Sequence, residues 1–313
     1  RLQGDWSSDV CSSDLLSSFN KKKDFMDYNF FWFRRDLRLS DNTGLCHALC
    51  EGLPVIPVFI FDKQILEKLQ NRSDARVTFI FDTIIKLKND IQSLGSDLDV
   101  RYGDPTDVWQ SLIESYNIRK VFANHDFEPY AIHRDKNVEK LLNHQNIDFI
   151  TFKDHVIFEK NEVIKDDGSP YTVFTPYKRK WLQKLLANSD SFESSPYLKT
   201  YLSADHVDNF AKKLTVSEIP SLHSMGFNRT VIPIPNDTVS QNVIKNYDKN
   251  RDFPCLNGTS RLGIHFRFGT ISIREKVKKA TALNQTYLSE LIWRDFYSMI
   301  LYHFPHVETK SFR

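Results

Sequence analysis

The chain has 313 residues, 41% hydrophobic and 26% charged, with 42 basic and 40 acidic side chains and a formal net charge of +2. These are the proportions of a soluble globular protein of two domains, and the charge by itself predicts no partner. No apolar run is long enough to span a bilayer, so no membrane association is expected and the location expected is cytoplasmic.

Residues 1–25 read as an artefactual or disordered leader. The run DWSSDVCSSDL at 5–15 looks like translated sequencing adapter, and the first plausible start is Met26, just ahead of an apolar strand. From there short apolar runs alternate with amphipathic ones. Strands are predicted at 29–34, 55–61, 98–102, 119–123 and near 148–152, each apolar enough to be buried on both faces. Between them, Val77, Ile80, Phe81, Ile84, Ile85, Ile91 and Leu94 mark a helix opened by Ser73-Asp74. Asp104 before Pro105 caps a second, and a third spans about 130–144. Residues 26–157 thus read as an α/β domain, doubly wound around a parallel sheet.

Such a domain places ligands beyond the carboxyl ends of its strands, which here carry Arg34-Arg35-Asp36, Asp62, Gly103-Asp104 and Asn124-His125-Asp126. Neither G-x-G-x-x-G nor a Walker loop is present, so the common dinucleotide and triphosphate sites are not supported. Arg34, Arg35, Asp36 and Arg38 read mostly as an ion-pair network tying strand to loop. Cys46, Cys50 and Cys255 show no metal spacing and read as buried thiols in a reducing compartment; Cys11 belongs to the leader.

Residues 158–237 read as a hairpin around Asp166-Asp167-Gly168, a helix at 177–187, and a long interdomain connector wrapped over the surface, after which a helical domain begins at 238. Two motifs stand out in it. In Gly258-Thr259-Ser260-Arg261-Leu262, two hydroxyls and a guanidinium precede an apolar run, a combination suited to an N-cap and to an anion such as phosphate. In Glu290-Leu291-Ile292-Trp293-Arg294-Asp295-Phe296-Tyr297, the residues Glu290, Trp293, Arg294 and Tyr297 share a helical face, with Leu288, Leu291, Ile292, Phe296 and Ile300 behind them. Glu290 and Arg294 stand at i,i+4, the spacing of an ordinary solvated ion pair.

Together with Arg251-Asp252-Phe253-Pro254 and Phe266-Arg267-Phe268-Gly269, these motifs closely resemble the start of the flavin-binding helical domain of the photolyase/cryptochrome family, most of all the class I cyclobutane pyrimidine dimer photolyases. Trp32-Phe33-Arg34-Arg35-Asp36-Leu37-Arg38 resembles the family's N-terminal signature, and Tyr171-Thr172-Val173-Phe174-Thr175-Pro176-Tyr177 the segment leading out of its antenna domain. The resemblance implies an antenna domain followed by the beginning of an all-α FAD-binding domain, C-terminally truncated at Arg313, the fragment itself being inactive. It implies FAD contacts at Tyr247, Thr259, Ser260, Arg261, Leu262 and Gly263, the last departing from the family's serine, and a flavin-side or phosphate-side cation at Arg294. Glu128 aligns with the acidic contact to a methenyltetrahydrofolate antenna, deazaflavin being the other antenna the family uses. Arg251 matches a DNA-phosphate contact, while Glu290, Trp293, Arg294 and Tyr297 lie on the helix that meets UV-damaged DNA. The implied activity is that of a monomeric deoxyribodipyrimidine photo-lyase in which excited reduced FAD splits the dimer, with a cryptochrome-like blue-light receptor as the alternative.

Overall fold

The computed structural model describes residues 26–187, 189–201, 203–212, 214, 216 and 218–312; the leader assigned to 1–25, Cys11 included, lies outside the described residues. Five strands, β1 (Asp27–Phe33), β2 (Val55–Asp62), β3 (Asp99–Gly103), β4 (Asn117–Asn124) and β5 (Asp148–Phe152), form one parallel sheet ordered β3-β2-β1-β4-β5. β1 is central because its sequence, DYNFFWF, is aromatic on both faces. Phe31 and Phe33 enter one core layer, and Tyr28, Phe30 and Trp32 enter the other.

Helices α1 (Thr43–Cys50), the one-turn α2 (Lys63–Leu66) and α3 (Ala75–Ser93) belong to the first layer; α4 (Pro105–Ser115) and α5 (Pro129–His144) belong to the second. The predicted caps are in place, with Asp74 accepting from the Arg76 N–H and Asp104 from the Thr106 N–H. The edge strand β5 and most of β3 are only half-buried, contrary to the expectation of burial on both faces, because each has a neighbour on one side alone.

Three sequence expectations fail beyond the sheet. No hairpin forms at 154–173: the Ile157 and Phe158 N–H groups bond to the Asp295 carboxylate, so side chains replace a partner strand. The connector is not merely draped over the surface, since Phe210, Leu222, Met225 and Phe227 are buried in the first core and the Ala211 N–H bonds to the Val55 carbonyl at 2.9 Å. Cys50 and Cys255 are exposed rather than buried. Among the described residues no helix is long and apolar enough to cross a membrane, and no cluster of three potential metal ligands occurs.

The second core joins α6 (Phe174–Leu185), α7 (Gln241–Lys245), α8 (Tyr247–Asn250), α9 (Gly263–Phe268), α10 (Ile273–Leu283) and α11 (Gln285–His303). Its junction with the sheet is ionic and buried. Asp154, just after β5, accepts from Arg38 at 2.7 Å, from Arg274 at 2.8 Å and from the Thr43 hydroxyl at 3.0 Å, while Asp41 accepts from the Arg274 Nε at 2.9 Å. Burial alone would raise the Asp154 pKa, yet Arg38 and Arg274 hold its carboxyl well below the usual range.

At the same junction Gly269 ends α9 in the left-handed conformation, with φ +61°, and a Cβ there would stand 2.0 Å from the Arg35 carbonyl oxygen. Gly269→Ala is therefore expected to cost about 2–4 kcal/mol, since backbone strain and a backbone clash add. Gly168→Ala, also at positive φ but with nothing within 4 Å, should cost only about 1 kcal/mol. Urea unfolding of the two variants measures the difference; equal losses would show that the close approach is without energetic weight.

Candidate flavin and nucleic-acid site

The expected site helix is α11. Asn284 caps it, its side-chain oxygen accepting from the Thr286 and Tyr287 N–H groups at 2.9 and 3.0 Å, and no Gly or Pro interrupts it. Leu288, Leu291, Ile292, Phe296 and Ile300 are buried as the spacing requires, and Glu290, Trp293 and Arg294 are half-buried while Tyr297 is 61% exposed.

The structure redistributes the partners of that face. Glu290 is bonded to Arg251 at the end of α8, not to Arg294. Arg294 turns instead into the domain junction and donates to the carbonyls of His155 and Phe266, the latter at 3.2 Å. The i,i+4 ion pair is thus absent because a buried guanidinium gains more from two unpaired carbonyls than from a half-exposed carboxylate. Trp293 lies flat on Phe174 of α6, ring centroids 3.6 Å apart and planes 7° from parallel, and Tyr297 stands beside it at 5.3 Å. Tyr247 meets Tyr287 edge-on at 5.1 Å.

The Thr-Ser-Arg triplet is not the cap that its composition suggested. The N-cap of α9 is Leu262, without a side-chain bond, because Arg261 takes φ +55° and turns the chain before the helix starts. Thr259, Ser260 and Arg261 instead line a cleft of about 420 Å³ together with residues 233–243, and Gly258 packs so closely on Asn250 that a Cβ would stand 2.5 Å from its carbonyl. Leu262 is buried. Gly263 faces the other way, into a second cleft of about 420 Å³ shared with Arg35, Glu128, His155, Arg294 and Tyr297. One five-residue segment therefore separates two clefts.

In the second cleft Glu128 bridges the domains, paired with Arg35 beside the sheet and with Arg267 of α9 at 2.5 Å. Burial works against the charge, but the Arg35 guanidinium keeps the Glu128 carboxyl below its ordinary range. His155 is held neutral, its pKa lowered to about 3 by burial and by Arg294. Arg35, Asp126, Glu128 and Arg267 also line an adjoining cavity of about 170 Å³, together with Phe59, Phe61, Leu66 and Ile80 and the guanidinium-bearing Arg34, Arg76 and Arg134. It lies beyond the carboxyl ends of β1 and β4, where the strand order reverses.

A model of the DNA photolyase family matches residues 29–197, more than half of the chain. The chain belongs to that family. It is 30% identical over 305 residues to a deoxyribodipyrimidine photo-lyase from Synechococcus sp., the match covering 90% of this chain and 62% of that protein, so it spans less than two thirds of that relative's length. Among solved structures it resembles an archaeal photolyase from Sulfolobus tokodaii described with two FAD molecules, at 26% identity and a TM-score of 0.69, over 91% of this chain and 62% of the other. It shares the fold of a Synechocystis cryptochrome at 18% identity and a TM-score of 0.71, over 90% and 62% of the respective chains.

One residue of this photolyase-family chain that the sequence motifs did not single out is Asp295. It is buried, and its Oδ2 accepts from the Ile157 and Phe158 N–H groups and from the Trp181 indole at 3.1, 3.2 and 3.0 Å. Its other oxygen has no partner among the described residues. The available signal was an acid on the apolar face, one turn from Leu291, Ile292 and Met299. Burial, opposed by the Trp181 bond, pushes its pKa up to about 6. A folded-state pKa above the unfolded one makes folding take up a proton. The contribution of Asp295 is then fullest below about pH 4 and is lost as pH rises through about 6. Relative to the wild type, Asp295→Asn should gain stability between pH 4 and 7, measured by urea unfolding across that range; a difference independent of pH would disprove the raised pKa.

Proposed function

We propose that the full-length protein binds FAD in its helical domain and uses light to split cyclobutane pyrimidine dimers in UV-damaged DNA. The observation that carries this reading is the arrangement around residues 259–263, which set two hydroxyls and a guanidinium into one cleft while Gly263 opens the other toward Arg294 and Tyr297. The residues fit a phosphorylated flavin. Thr259 and Arg261 are exposed, Arg261 has no ion-pair partner among the described residues, and a Cβ at Gly263 would meet nothing within 4 Å. Thr259, Ser260 and Arg261 would hold the pyrophosphate in the first cleft, while Gly263 lines the second and Leu262 is buried. Reduced FAD, when bound, would supply on excitation the electron that opens the cyclobutane ring, and that electron would return to the flavin.

The work of this chain is then recognition. An extruded pyrimidine pair needs an aromatic wall and a hydrogen-bonding edge. The stack of Phe174, Trp293 and Tyr297 is the wall, with Phe174 backing the indole, and Glu290 addresses the pyrimidine edge, next to Arg251 for the DNA backbone. The second chromophore belongs in the cavity lined by Phe59 and Phe61 rather than against Glu128, because Arg35 and Arg267 already hold the Glu128 carboxylate that a pterin would need. The apolar side chains of Phe59, Phe61, Leu66 and Ile80 suit a flat ring.

Light-driven repair of an irradiated oligonucleotide by the purified, flavin-loaded protein tests the main reading. Flavin photoreduction without repair would instead support the receptor reading. Trp293→Ala should weaken binding of dimer-containing duplex by about 1–3 kcal/mol and leave undamaged duplex unaffected. Phe174→Leu, which removes the backing ring alone, should lose about 0.5–1.5 kcal/mol in the same titration. If both variants unfold more easily yet bind damaged DNA normally, the stack is only core.

A further inference from the structure

The ion pair between Arg251 and Glu290 joins two residues whose proposed partners on DNA differ, one the backbone and the other the base. Both side chains are about one-third exposed, at 34% and 38%, so the pair is reachable by a ligand and not part of the core. Arg251 is the only ion-pair partner of Glu290 among the described residues, because Arg294 is committed to the carbonyls of His155 and Phe266. Arg251 caps the end of α8 immediately before residues 252–257, all exposed, and its remaining carboxylate neighbour, Asp252, is 3.5 Å away and largely in water. Its guanidinium also stands 5.8 Å from the centre of the Tyr247 ring.

We propose that Arg251 is a latch on Glu290 that a DNA phosphate opens. In the free protein the guanidinium occupies the carboxylate. When a duplex docks, a phosphate takes Arg251, and Glu290 is released to the base edge. Contact with the backbone thereby becomes a condition for reading the lesion. The exchange is feasible because a half-exposed ion pair with a single contact is weak, while a phosphate in duplex DNA offers an arginine two acceptor oxygens together with the release of a counterion. This rests on the reading of Glu290 as a lesion contact, but the two can be separated by experiment.

A latch makes a specific demand on undamaged DNA, which offers phosphates and no lesion. Breaking the pair in advance should help such a duplex to bind. Glu290→Gln is therefore expected to tighten binding of undamaged duplex by about 2–5-fold, the worth of one exposed ion pair. In the Arg251→Gln background the same substitution should change nothing, and Arg251→Gln alone should weaken binding and lower the salt dependence by about one phosphate contact. The measurement is a double-mutant cycle of dissociation constants on the flavin-loaded full-length protein, with undamaged and dimer-containing duplexes of one sequence and a salt series for each. Tightening that persists in the Arg251→Gln background would reflect general charge repulsion and overturn the latch. So would no tightening at all. Loss of preference for the dimer in Glu290→Gln reports separately on the lesion reading: a zero cycle with lost preference keeps that reading and removes the latch, whereas intact preference removes the lesion reading and the latch with it.

Discussion

The constraint on which the rest of the structure depends is the burial of two carboxylates, Asp41 and Asp154, between Arg38 on one domain and Arg274 on the other. Four charges are taken out of water at one place, a cost that is offset only when every lone pair and N–H finds a partner. Thr43, Ser272 and the backbone carbonyls of Asp41 and Gly269 supply most of those partners, the Arg38 Nε being left without one among the described residues. Such a cluster adds little net stability over an apolar one, but it tolerates few geometries, and that is what a two-domain site needs. With the Leu37 N–H on the Phe268 carbonyl and Gly269 against Arg35, it fixes α9 and α10 on the sheet.

From that junction the position of α11 follows. Arg294 and Asp295 are consecutive and opposite in charge, and they grip opposite backbone polarities of one segment, the carbonyl of His155 and the N–H groups of Ile157 and Phe158. Rotation and translation of the helix are both set by this. The face carrying Glu290, Trp293 and Tyr297 is consequently presented by a helix anchored on its other side, and α6 comes up beside it with Phe174 under the indole. Precision at the site is thus inherited from polar contacts at the junction, while the apolar stripe of α11 supplies adhesion without choosing a register.

The clefts share this origin. Glu128, Arg35 and Arg267 form a three-residue bridge that lines the cleft shared with Gly263 and also the cavity shared with Arg34 and Arg134. A carboxylate held by two guanidiniums stands between the two spaces, an arrangement that alignment of Glu128 alone does not reveal.

The five strands, the helices between 75 and 144 and the family were legible in the sequence. Periodicities of 2 and 3.6, the Asp74 and Asp104 caps and the aromatic β1 depend on local chemistry, so strands, helices and their order could be read without neighbours, as could the Thr-Ser-Arg and Glu-Leu-Ile-Trp motifs. Only the tertiary structure decided who pairs with whom. Glu290 looked like the partner of Arg294 because i,i+4 spacing is local, yet both found better partners elsewhere in the fold. The hairpin expected near Gly168 gave way because Asp295, well over a hundred residues later, satisfies the backbone that a second strand would have used. Asp295 was visible as a letter and illegible as a role, since the environment of a charge is set by atoms remote in the chain, and burial decides whether it is solvated surface or the anchor of a helix.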